Sequence, residues 1–508
     1  MSGISLNLLL RGFSDKPLLP DVLIREIQID SRQIQKGDLF IAYPGIYTDG
    51  RSYIKEALDK QASAVFYDAH DYKPPIEGSS VPLIPILGLR SRIFEISDRF
   101  YGNPTKSMKI IGITGTNGKT SCTHFVAQLL RSQNIPCGIL GTLGYGFVND
   151  LIKTGCTTPN SLQLQKIFSY LRRRGARVVV MEVSSHALDQ HRVGNVNFNI
   201  AVLTQFSRDH LDYHGSIENY ARAKESLFQQ IGLNYGVINY DDEFGRYLIE
   251  KYYKKITIIG FSMREDTKDS RISLVVATDI KISTQGGFSV NVQTPWGNGV
   301  FTSSLYGRFN IVNALVVLGI LGLFGIPLKE ILLELSKLKN ISGRMQVVEC
   351  VKCIEGPKIV VDYAHTPDAL RSVLVSLREY CCGGRLICVF GCGGDRDRGK
   401  RSKMGSIAER YADQIIITND NPRSELPLNI IQDIQSGLKS PKEAIVEIER
   451  AAAIRYAIQK AAVNDIVLIA GKGHETTQIV NGKIFPFNDI QEIRKILIHE
   501  TLTNCPHS

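Results

Sequence analysis

Residues 110–121 read Ile-Ile-Gly-Ile-Thr-Gly-Thr-Asn-Gly-Lys-Thr-Ser, and this stretch decides the fold of the central part of the chain. The apolar start, the regularly spaced glycines and the apolar segment that follows predict a strand, a glycine loop and a helix. In this arrangement, backbone N–H groups and a helix N-terminus bind phosphate. We expect Lys119 to reach the terminal phosphates of a nucleotide and the Thr120 hydroxyl to bind Mg2+. The general P-loop pattern requires a glycine where Ile113 stands, so a glycine turn with a chance lysine is the alternative.

The bulk composition describes a globular protein with an excess of positive charge. The chain has 508 residues, of which 43% are hydrophobic and 22% charged, and a net charge of +10. This length corresponds to about two to four domains. The charge suits nucleic acid or small anionic substrates, and the scattered basic residues favour the small substrates. The N-terminus lacks the pattern of a signal peptide and the longest apolar run, 314–326, is too short to span a bilayer, so we expect a cytoplasmic protein.

Three regions differ in their pattern. Residues 1–106 contain short strands and turns, and residues 107–340 contain the glycine loop, further apolar strands and a β-rich patch at about 256–306. Residues 341–508 alternate strands with helices. The fold class is therefore α/β, with a small first domain, a central P-loop-type and mostly parallel sheet carrying an added β-rich patch, and a doubly wound, Rossmann-like third domain.

Polar clusters follow two apolar strands of the central region. Glu182 ends the strand 178–182, and a carboxylate near a phosphate loop is a hard oxygen ligand for Mg2+. Residues 207–214 are dense in Asp and His, so His210 is a candidate metal ligand and Asp209 a candidate base or orienting group. A solvated acid at the end of a strand is the alternative for Glu182. Lys224 lies in a helical pattern and by itself resembles an ordinary surface lysine.

The third region places a polar cluster after each of four predicted strands, at residues 362–365, 391–396, 420–423 and 471–475. Parallel strands bring these loops to one edge of a sheet. Arg396 and Arg423 suit a carboxylate, and Asp420 and Glu475 suit an ammonium. The four loops together predict a pocket for a zwitterionic amino acid.

These motifs resemble those of the Mur ligases, the ATP-dependent amide-bond enzymes of peptidoglycan precursor synthesis, and most closely the branch that adds meso-diaminopimelate. The resemblance covers nearly the whole chain. It rests on residues 112–120, 181–186, 190–192, 207–214, 307–310, 343–345, 361–370, 391–403, 420–423 and 471–475. The loop of the family carries the same spacing of glycines, which accounts for Ile113.

The resemblance implies roles at the phosphate site. Thr120 and Glu182 would hold one Mg2+, and His210 a second, supported by Lys224 as a carbamate. Lys119, Glu182, His210 and Lys224 would be the catalytic set. An ordinary lysine is cationic and would repel a metal, whereas its carbamate is an anion. Nucleotide contacts would come from Gly115, Thr116, Asn117, Gly118, Lys119, Thr120, Ser121, Asn310, Arg344 and Asp362.

The resemblance also implies two organic substrates. Ser31 and residues Ile46, Tyr47 and Thr48 would bind the uridine nucleotide, and the muramoyl dipeptide would contact Thr157, Thr158, Ser184, Gln190 and Arg192. Diaminopimelate would contact Arg396, Asp420, Asn421, Pro422, Arg423, Gly471 and Glu475. The implied protein is a monomeric bacterial enzyme with no nucleic-acid partner. Gln205, Phe206 and Cys156 depart from the family pattern, and each weakens one contact.

The implied reaction has two steps. ATP phosphorylates the D-Glu side-chain carboxylate of UDP-N-acetylmuramoyl-L-Ala-D-Glu, and an amine of diaminopimelate attacks the acyl phosphate. Alternatives are a lysine-adding or folylpolyglutamate synthetase-like ligase, a basic ATPase that binds nucleic acid, and a non-catalytic nucleotide sensor. Arg423 favours diaminopimelate over lysine because only diaminopimelate has a distal carboxylate.

Overall fold

The computed structural model describes residues 3–13, 21–45, 48–76, 78–194, 196–283, 286–348 and 356–503. These residues form two compact units. The first comprises Met1–Gly112, Pro136–Asn199 and Ser226–Leu233; the second comprises Ile113–Ile135, Ile200–Glu225 and Asn234–Ser508. The chain therefore crosses between the units several times in its central region.

The first region contains the elements β1 (Ile4–Ser5), α1 (Leu6–Leu9), β2 (Leu23–Ile24), β3 (Ile27–Gln28), β4 (Leu39–Ala42), α2 (Ile54–Asp59), β5 (Ala64–Asp68), β6 (Leu83–Ile86) and α3 (Leu89–Phe100). Four of the strands form a parallel sheet in the order β3-β4-β5-β6. Every residue of β4 and β5 is buried, because both faces of this sheet pack against apolar side chains. The predicted α/β character of this region is confirmed.

The central region contains the elements β7 (Lys109–Thr114), α4 (Lys119–Ser132), β8 (Cys137–Gly141), β9 (Gly144–Phe147), β10 (Asp150–Ile152), α5 (Ser161–Arg173), β11 (Val178–Glu182), α6 (Ser185–Asp189), β12 (Phe198–Leu203), α7 (Leu211–His214), α8 (Ile217–Glu225), β13 (Tyr235–Asn239), α9 (Glu243–Tyr252), β14 (Thr257–Ser262), β15 (Ser273–Ile282), β16 (Phe288–Thr294), β17 (Gly297–Ser303), α10 (Arg308–Leu323) and α11 (Leu328–Leu335). In the first unit, β8 and β11 are parallel, and β9 and β10 extend β8 as an antiparallel meander. In the second unit, β12 to β15 are parallel and β15 to β17 antiparallel. The strands β15 to β17 are the predicted β-rich patch.

The third region contains the elements β18 (Gln346–Val348), β19 (Lys358–Asp362), α12 (Pro367–Arg378), β20 (Leu386–Phe390), α13 (Gly399–Tyr411), β21 (Gln414–Ile417), α14 (Pro427–Gln435), β22 (Ile445–Val446), α15 (Arg450–Lys460), β23 (Ile466–Ala470), β24 (Thr477–Val480), β25 (Lys483–Pro486) and α16 (Asp489–Thr503). The sheet order is β18-β19-β23-β20-β21-β22, and the strands from β19 to β22 are parallel. Alternate strand residues pack against α12 to α14 on one face and α15 and α16 on the other. The doubly wound prediction is confirmed.

The apolar helix α10 belongs to the second unit, and twelve of its 16 residues are buried. Within the described ranges, no helix is both long and apolar enough to cross a membrane. The apolar run at 314–326 therefore belongs to a core helix, because a bilayer span needs about 20 residues.

Candidate active site

The glycine loop connects β7 to α4, which begins at Lys119 directly after Gly118. Gly118 and Gly115 have φ values of +86° and +145°, a backbone region that favours glycine. A Cβ at Gly115 would lie 2.0 Å from the Oγ1 of Thr204. The Thr204 hydroxyl also donates to the carbonyl of Asn117 at 2.6 Å. Glycine is therefore required because the loop packs directly against the end of β12.

Gln205, which departs from the family pattern, supports this loop mainly through its backbone. Its carbonyl accepts from the N–H of Thr116 at 2.7 Å, whereas its side-chain Oε1 lies 3.4 Å from the Nδ2 of Asn117. The first contact does not depend on the side chain. The departure at Gln205 therefore leaves the loop held in place.

Two lysines converge on one carbonyl oxygen of the loop. The Nζ of Lys119 donates to the carbonyl of Gly115 at 2.8 Å and to that of Thr116 at 3.0 Å. The Nζ of Lys224 donates to the same Gly115 oxygen at 2.9 Å. Lys224 projects from α8 and is 1% exposed. The structure thus brings together two of the predicted catalytic residues that lie far apart in sequence.

Burial lowers the pKa of the Lys224 amine well below its ordinary value, and the neighbouring charge of Lys119 lowers it further. The amine lies 4.5 Å from the ring centre of Tyr220, whose hydroxyl is 3.1 Å from the Oγ1 of Thr116. A buried lysine with a lowered pKa has a larger neutral fraction at neutral pH. The neutral amine is the form that acts as a nucleophile.

His210 and Asp209 lie beside the same lysines. The Nε2 of His210 is 3.3 Å from the Oδ2 of Asp209, and His210 has a φ of +53°. Partial burial lowers the pKa of the His210 imidazole, Asp209 opposes that shift, and the charges of Lys119 and Lys224 add to it. The neutral ring is the form that binds metal ions.

Arg344, at the start of the third region, reaches the first turn of α4 beside the glycine loop, which we also call the phosphate loop. Its NH2 lies 3.4 Å from the Oγ1 of Thr120, and its guanidinium is 4.3 Å from the ring centre of Tyr363. Asp362, at the end of β19, accepts from the N–H of Met345 at 2.7 Å, and burial raises the pKa of its carboxyl group. The predicted nucleotide residues Arg344 and Asp362 are therefore connected through Met345, close to the glycine loop.

Asn310 belongs to the first turn of α10 and is connected to the loop through Asn313. Its Oδ1 accepts from the Nδ2 of Asn313 at 2.9 Å, and its own Nδ2 donates to the carbonyl of Tyr306 at 2.8 Å. A Cβ at Gly118 would lie 2.8 Å from the Oδ1 of Asn313. Ser121, in the first turn of α4, is 7% exposed. Asn313 was not predicted, because an asparagine within an apolar helix carries no sequence signal.

The backbones at Gly343 and Gly473, both in the second unit, pass so close to each other that neither position has room for a side chain. A Cβ at Gly343 would lie 2.1 Å from the N of His474, and a Cβ at Gly473 would lie 2.7 Å from the carbonyl oxygen of Gly343. Gly343 precedes Arg344, and Gly473 lies in the loop after β23. The segment that carries Arg344 therefore packs against the loop after β23.

The four polar loops of the third region follow β19, β20, β21 and β23, which are adjacent parallel strands. The prediction that these loops share one sheet edge is confirmed. A Cβ at Gly471 would lie 2.5 Å from the Oδ2 of Asp420, and the Nδ2 of Asn421 donates to the Oε2 of Glu475 at 2.8 Å. The loops after β21 and β23 thus form one cluster.

Arg423 is positioned by its backbone as well as its side chain. Its N–H donates to the carbonyl of Ile479 in β24 at 3.0 Å, and its φ is +53°. Its NH1 donates to the carbonyl of Gly394 at 2.6 Å. Pro422 precedes it, and its carbonyl accepts from the N–H of Glu425 at 3.0 Å. Arg396 lies exposed in the loop after β20.

Lys472 is a candidate functional residue that the sequence motifs did not predict. It is fully buried, and its Nζ lies 3.0 Å from the Oδ1 of Asn421 and 2.9 Å from the Oε2 of Glu475. The glycines on either side of it, at positions with positive φ, were a signal that its backbone is unusual. One of its two partners, Asn421, lies in a loop 51 residues earlier in the chain, so local sequence does not reveal the contact.

Two buried arginines support the same loops. Arg401 bonds both oxygens of Glu425, at 2.9 and 2.7 Å, and this contact lowers the pKa of Glu425 to about 2. Arg450 pairs with Asp489 at 2.8 Å and also donates to the carbonyls of Asn419 and Ala470, at the ends of β21 and β23. Arg450 therefore connects the two strands whose loops carry Asp420 and Glu475.

In the first unit, the predicted dipeptide residues cluster around Thr158. Its hydroxyl donates to the carbonyl of Glu182 at 3.0 Å and accepts from the N–H of Ser184 at 3.1 Å. Arg192 donates to the carbonyl of Thr158 at 2.9 Å and to the side-chain oxygen of Gln190 through its Nε at 2.9 Å. The cluster is built by the ends of α5 and β11 and by α6.

The carboxylate of Glu182 is held in place within the first unit. Its Oε1 accepts from the N–H of Thr142 at 2.8 Å and its Oε2 from the Thr142 hydroxyl at 3.0 Å. That hydroxyl is 3.1 Å from the Oγ1 of Thr157, whose neighbour Cys156 is exposed. The Thr142 contact was not predicted and orients both oxygens of the carboxylate.

The predicted uridine residues lie in the first region. The hydroxyl of Ser31 donates to the Oε2 of Glu56 at 2.9 Å, and the carbonyl of Thr48 accepts from the N–H of Gly45 at 2.8 Å. Ile46 and Tyr47 lie outside the described residues. Their assignment to uridine binding stays a prediction.

The described part of the chain contains no group of three or more His, Cys, Asp or Glu side chains that would hold a metal ion unaided. The predicted metal set comprises a hydroxyl, a carboxylate, an imidazole and a lysine, at Thr120, Glu182, His210 and Lys224. Thr120, His210 and Lys224 belong to the second unit, and none of the three is a permanent anion. These three fit a divalent cation better when Lys224 is modified to an anion or when a nucleotide supplies phosphate oxygens.

Three family models match the chain. Residues 23–101 match "Mur ligase family, catalytic domain", residues 113–321 match "Mur ligase middle domain", and residues 343–473 match "Mur ligase, glutamate ligase domain".

Relatives of high identity carry one name. A UDP-N-acetylmuramoyl-L-alanyl-D-glutamate--2,6-diaminopimelate ligase of Coxiella burnetii is 60% identical over 497 residues, which are 98% of this chain and 100% of the relative. The protein of the same name from Pseudomonas aeruginosa is 45% identical over 479 residues, 94% of this chain and 96% of the relative.

Solved structures agree with this similarity. A structure of UDP-N-acetylmuramoyl-L-alanyl-D-glutamate--2,6-diaminopimelate ligase aligns with a TM-score of 0.69 at 32% identity and covers 98% of this chain and 99% of its own. A folylpolyglutamate synthase of Mycobacterium tuberculosis aligns with a TM-score of 0.60 at 17% identity over 82% of this chain and 96% of its own. The second similarity concerns the fold alone.

Proposed function

Because the chain belongs to the Mur ligase family, we propose that it is the ATP-dependent ligase that joins meso-diaminopimelate to UDP-N-acetylmuramoyl-L-alanyl-D-glutamate. The observation that carries this proposal is the full-length identity of 60% to a relative of that name. The geometry supports it, because a phosphate loop and an amino-acid pocket with cationic and anionic groups belong to one compact unit.

The reaction begins with transfer of the γ-phosphoryl group of ATP to the D-Glu side-chain carboxylate, which gives an acyl phosphate and ADP. Lys119 neutralises charge on the transferred group. An amine of diaminopimelate then attacks the acyl carbon, the C–N bond forms, the proton of the amine is lost and phosphate leaves. Water would hydrolyse the acyl phosphate, so binding has to exclude water from the site.

Mg2+, when bound, would neutralise negative charge on the phosphates. Thr120 and Glu182 would hold one ion, and His210 and the modified Lys224 would hold a second. The neutral imidazole of His210 and the orientation of Glu182 by Thr142 support these roles. The nucleotide would contact Gly115, Asn310, Arg344 and Asp362.

Carbamylation of Lys224 joins the neutral amine to CO2, forms an N–C bond and releases a proton. The lowered pKa of the buried amine supports this step. The carbamate retains one N–H, which can keep the hydrogen bond to the carbonyl of Gly115. The product places an anion next to Lys119, where the amine stood.

The carbamate is tested by 13C NMR of the protein in 13C-bicarbonate. We expect a carbamate signal that is absent from the Lys224→Arg variant. The signal decreases as pH falls through the lowered pKa of Lys224, because protonation removes the nucleophile. A signal that persists in the variant would assign the modification elsewhere.

The substrates are tested by phosphate release from ATP. We expect release to require both UDP-N-acetylmuramoyl-L-Ala-D-Glu and diaminopimelate, with lysine a poor replacement. Full activity with lysine would favour the lysine-adding alternative, and activity with a folate substrate the folylpolyglutamate alternative. Stimulation by DNA or RNA would favour a nucleic-acid ATPase, and binding without turnover a sensor.

Three further features belong to this proposal. The domains are residues 1–106 for the UDP-sugar, 107–340 for ATP and 341–508 for the amino acid. The three matched family ranges each fall within one of these domains, which supports the boundaries. The protein acts as a monomer in the bacterial cytoplasm. Gel filtration with light scattering tests the monomer.

A further inference from the structure

Lys472 is buried between the loops after β21 and β23 (residues 420–423 and 471–475), which we call the amino-acid loops because the proposed function places the amino acid there. It follows Gly471 in the loop after β23, and its side chain is completely buried. Burial of an ammonium is costly unless its protons are bonded and its charge is paired. Lys472 meets both conditions through the Oδ1 of Asn421 at 3.0 Å and the Oε2 of Glu475 at 2.9 Å.

The first consequence concerns the side-chain amide of Asn421. A lysine ammonium only donates hydrogen bonds, so the oxygen of the amide has to face Lys472. The N–H of Ile479 also donates to this oxygen, at 3.0 Å. The amide nitrogen then points to the Oε2 of Glu475, at 2.8 Å. The ammonium and the N–H of Ile479 therefore together fix which end of the Asn421 amide faces which neighbour.

The second consequence concerns the carboxylate of Glu475. Its Oε2 accepts from both Lys472 and Asn421, whereas its Oε1 accepts no hydrogen bond from the residues that the structure describes. The carboxylate is therefore held by one oxygen and offers the other. Without Lys472, either oxygen could turn toward Asn421, and the charge of Glu475 would lose its nearest cation.

We propose that Lys472 is a positioning residue that orients Asn421 and Glu475 for the amino-acid substrate without touching that substrate. The inference rests on the proposed function, in which Asn421 and Glu475 contact diaminopimelate. The substrate ammonium meets the free oxygen of Glu475, and the amide of Asn421 is presented in one orientation. Lys472 thus acts on the binding of the amino acid and leaves the binding of ATP unchanged.

The test compares Lys472→Met with Lys495→Met. Lys495 also pairs with a glutamate three residues away, Glu492 at 2.6 Å, but its side chain is 70% exposed. We expect Lys472→Met to raise the KM for diaminopimelate by about 30-fold and to leave the KM for ATP within about twofold, since a lost hydrogen bond to a charged group has this size. Lys495→Met should change neither constant. A lysine with a purely structural role would lower the melting temperature and the active fraction while the KM for diaminopimelate stayed unchanged.

A double-variant cycle tests whether Lys472 acts through Glu475. The effects of Lys472→Met and Glu475→Gln on the KM for diaminopimelate should be clearly less than additive, because both remove the same oriented carboxylate. Additive effects, or an unchanged KM in Lys472→Met, would overturn the proposal. If Lys472→Met does not fold, Lys472→Gln, which can still donate to Asn421, replaces it in the same cycle.

The proposed function and this inference can fail separately. Diaminopimelate-dependent phosphate release by the protein without substitutions tests the function. Comparison of the Lys472 variant with that protein tests the role of Lys472. If the chain uses another amino acid, the same comparison is made with the KM for that amino acid.

Discussion

The phosphate loop and the amino-acid loops hold buried cations in opposite ways. At the phosphate loop, the buried Lys224 donates to the backbone carbonyl of Gly115. In the third region, the buried Arg401, Arg450 and Lys472 each face a carboxylate. A cation bonded to a carbonyl keeps its net charge or loses its proton, whereas a cation paired with an acid forms a neutral unit. The first arrangement suits chemical modification and anion binding, and the second holds the polar loops of the third region without adding net charge, as the proposed amino-acid pocket requires.

The largest expected effect breaks the first arrangement. Lys224→Ala should lower kcat on the order of 100- to 1,000-fold, because it removes the carbamate that the proposed function places at the phosphoryl-transfer site. The KM for diaminopimelate should change little. Steady-state kinetics with Lys254→Ala, an exposed lysine, as the control checks this prediction. Partial recovery in propionate would support a carboxylate role for Lys224, and full activity without any additive would contradict it.

The next effect breaks a neutral unit of the third region. Arg450→Met should lower the stability of the fold by about 3 kcal/mol, because it leaves the carboxylate of Asp489 buried and unpaired. Arg450→Met combined with Asp489→Leu should restore part of the loss. Calorimetric melting of the three proteins checks the expectation. Equal melting temperatures for the single variant and the unmodified chain would show that the pair is not needed.

Arg423→Ala sharpens the comparison by removing a cation that, in the proposed function, contacts the distal carboxylate of the substrate. We expect the KM for diaminopimelate to rise about 50-fold, because a charge-assisted hydrogen bond to the distal carboxylate is lost. The KM for ATP should stay the same. Arg410→Ala, an exposed arginine of α13, is the matched control. Retained affinity for diaminopimelate in Arg423→Ala would remove Arg423 from the specificity pocket.

The smallest effect concerns Gln205 at the phosphate loop. Gln205→Asn should change the KM for ATP less than about threefold, because the 2.7 Å contact to Thr116 is made by the backbone. Titration of initial rates against ATP checks this. A tenfold change would mean that the 3.4 Å contact to Asn117 is important for loop geometry.

The sequence predicted the elements that carry the motifs, because local patterns specify them. A threonine followed by a proline is a typical helix start, and the structure places the N-cap of α12 at Thr366 and its first helical residue at Pro367. The glycine spacing at 112–118 predicted the loop between β7 and α4. The four polar loops were predicted to share an edge, since parallel strands align their carboxyl ends.

Contacts between distant segments could not be predicted in the same way. The burial of Lys472 depends on Asn421, and the orientation of Glu182 depends on Thr142, 40 residues earlier. Neither contact has a periodicity or a spacing that the sequence displays. The lowered pKa of Lys224 likewise depends on the burial of its amine and on the charge of Lys119, and neither is visible in the sequence around α8.

The crossing of Gly343 and Gly473 has a thermodynamic consequence. Arg344, which follows the first glycine, touches Thr120 of the phosphate loop, and the second glycine lies between Lys472 and His474. A ligand that displaces one segment also changes the conformational free energy of the other, because the two backbones are in direct contact. Linkage then requires reciprocity: any factor by which the amino acid tightens ATP binding equals the factor by which ATP tightens amino-acid binding.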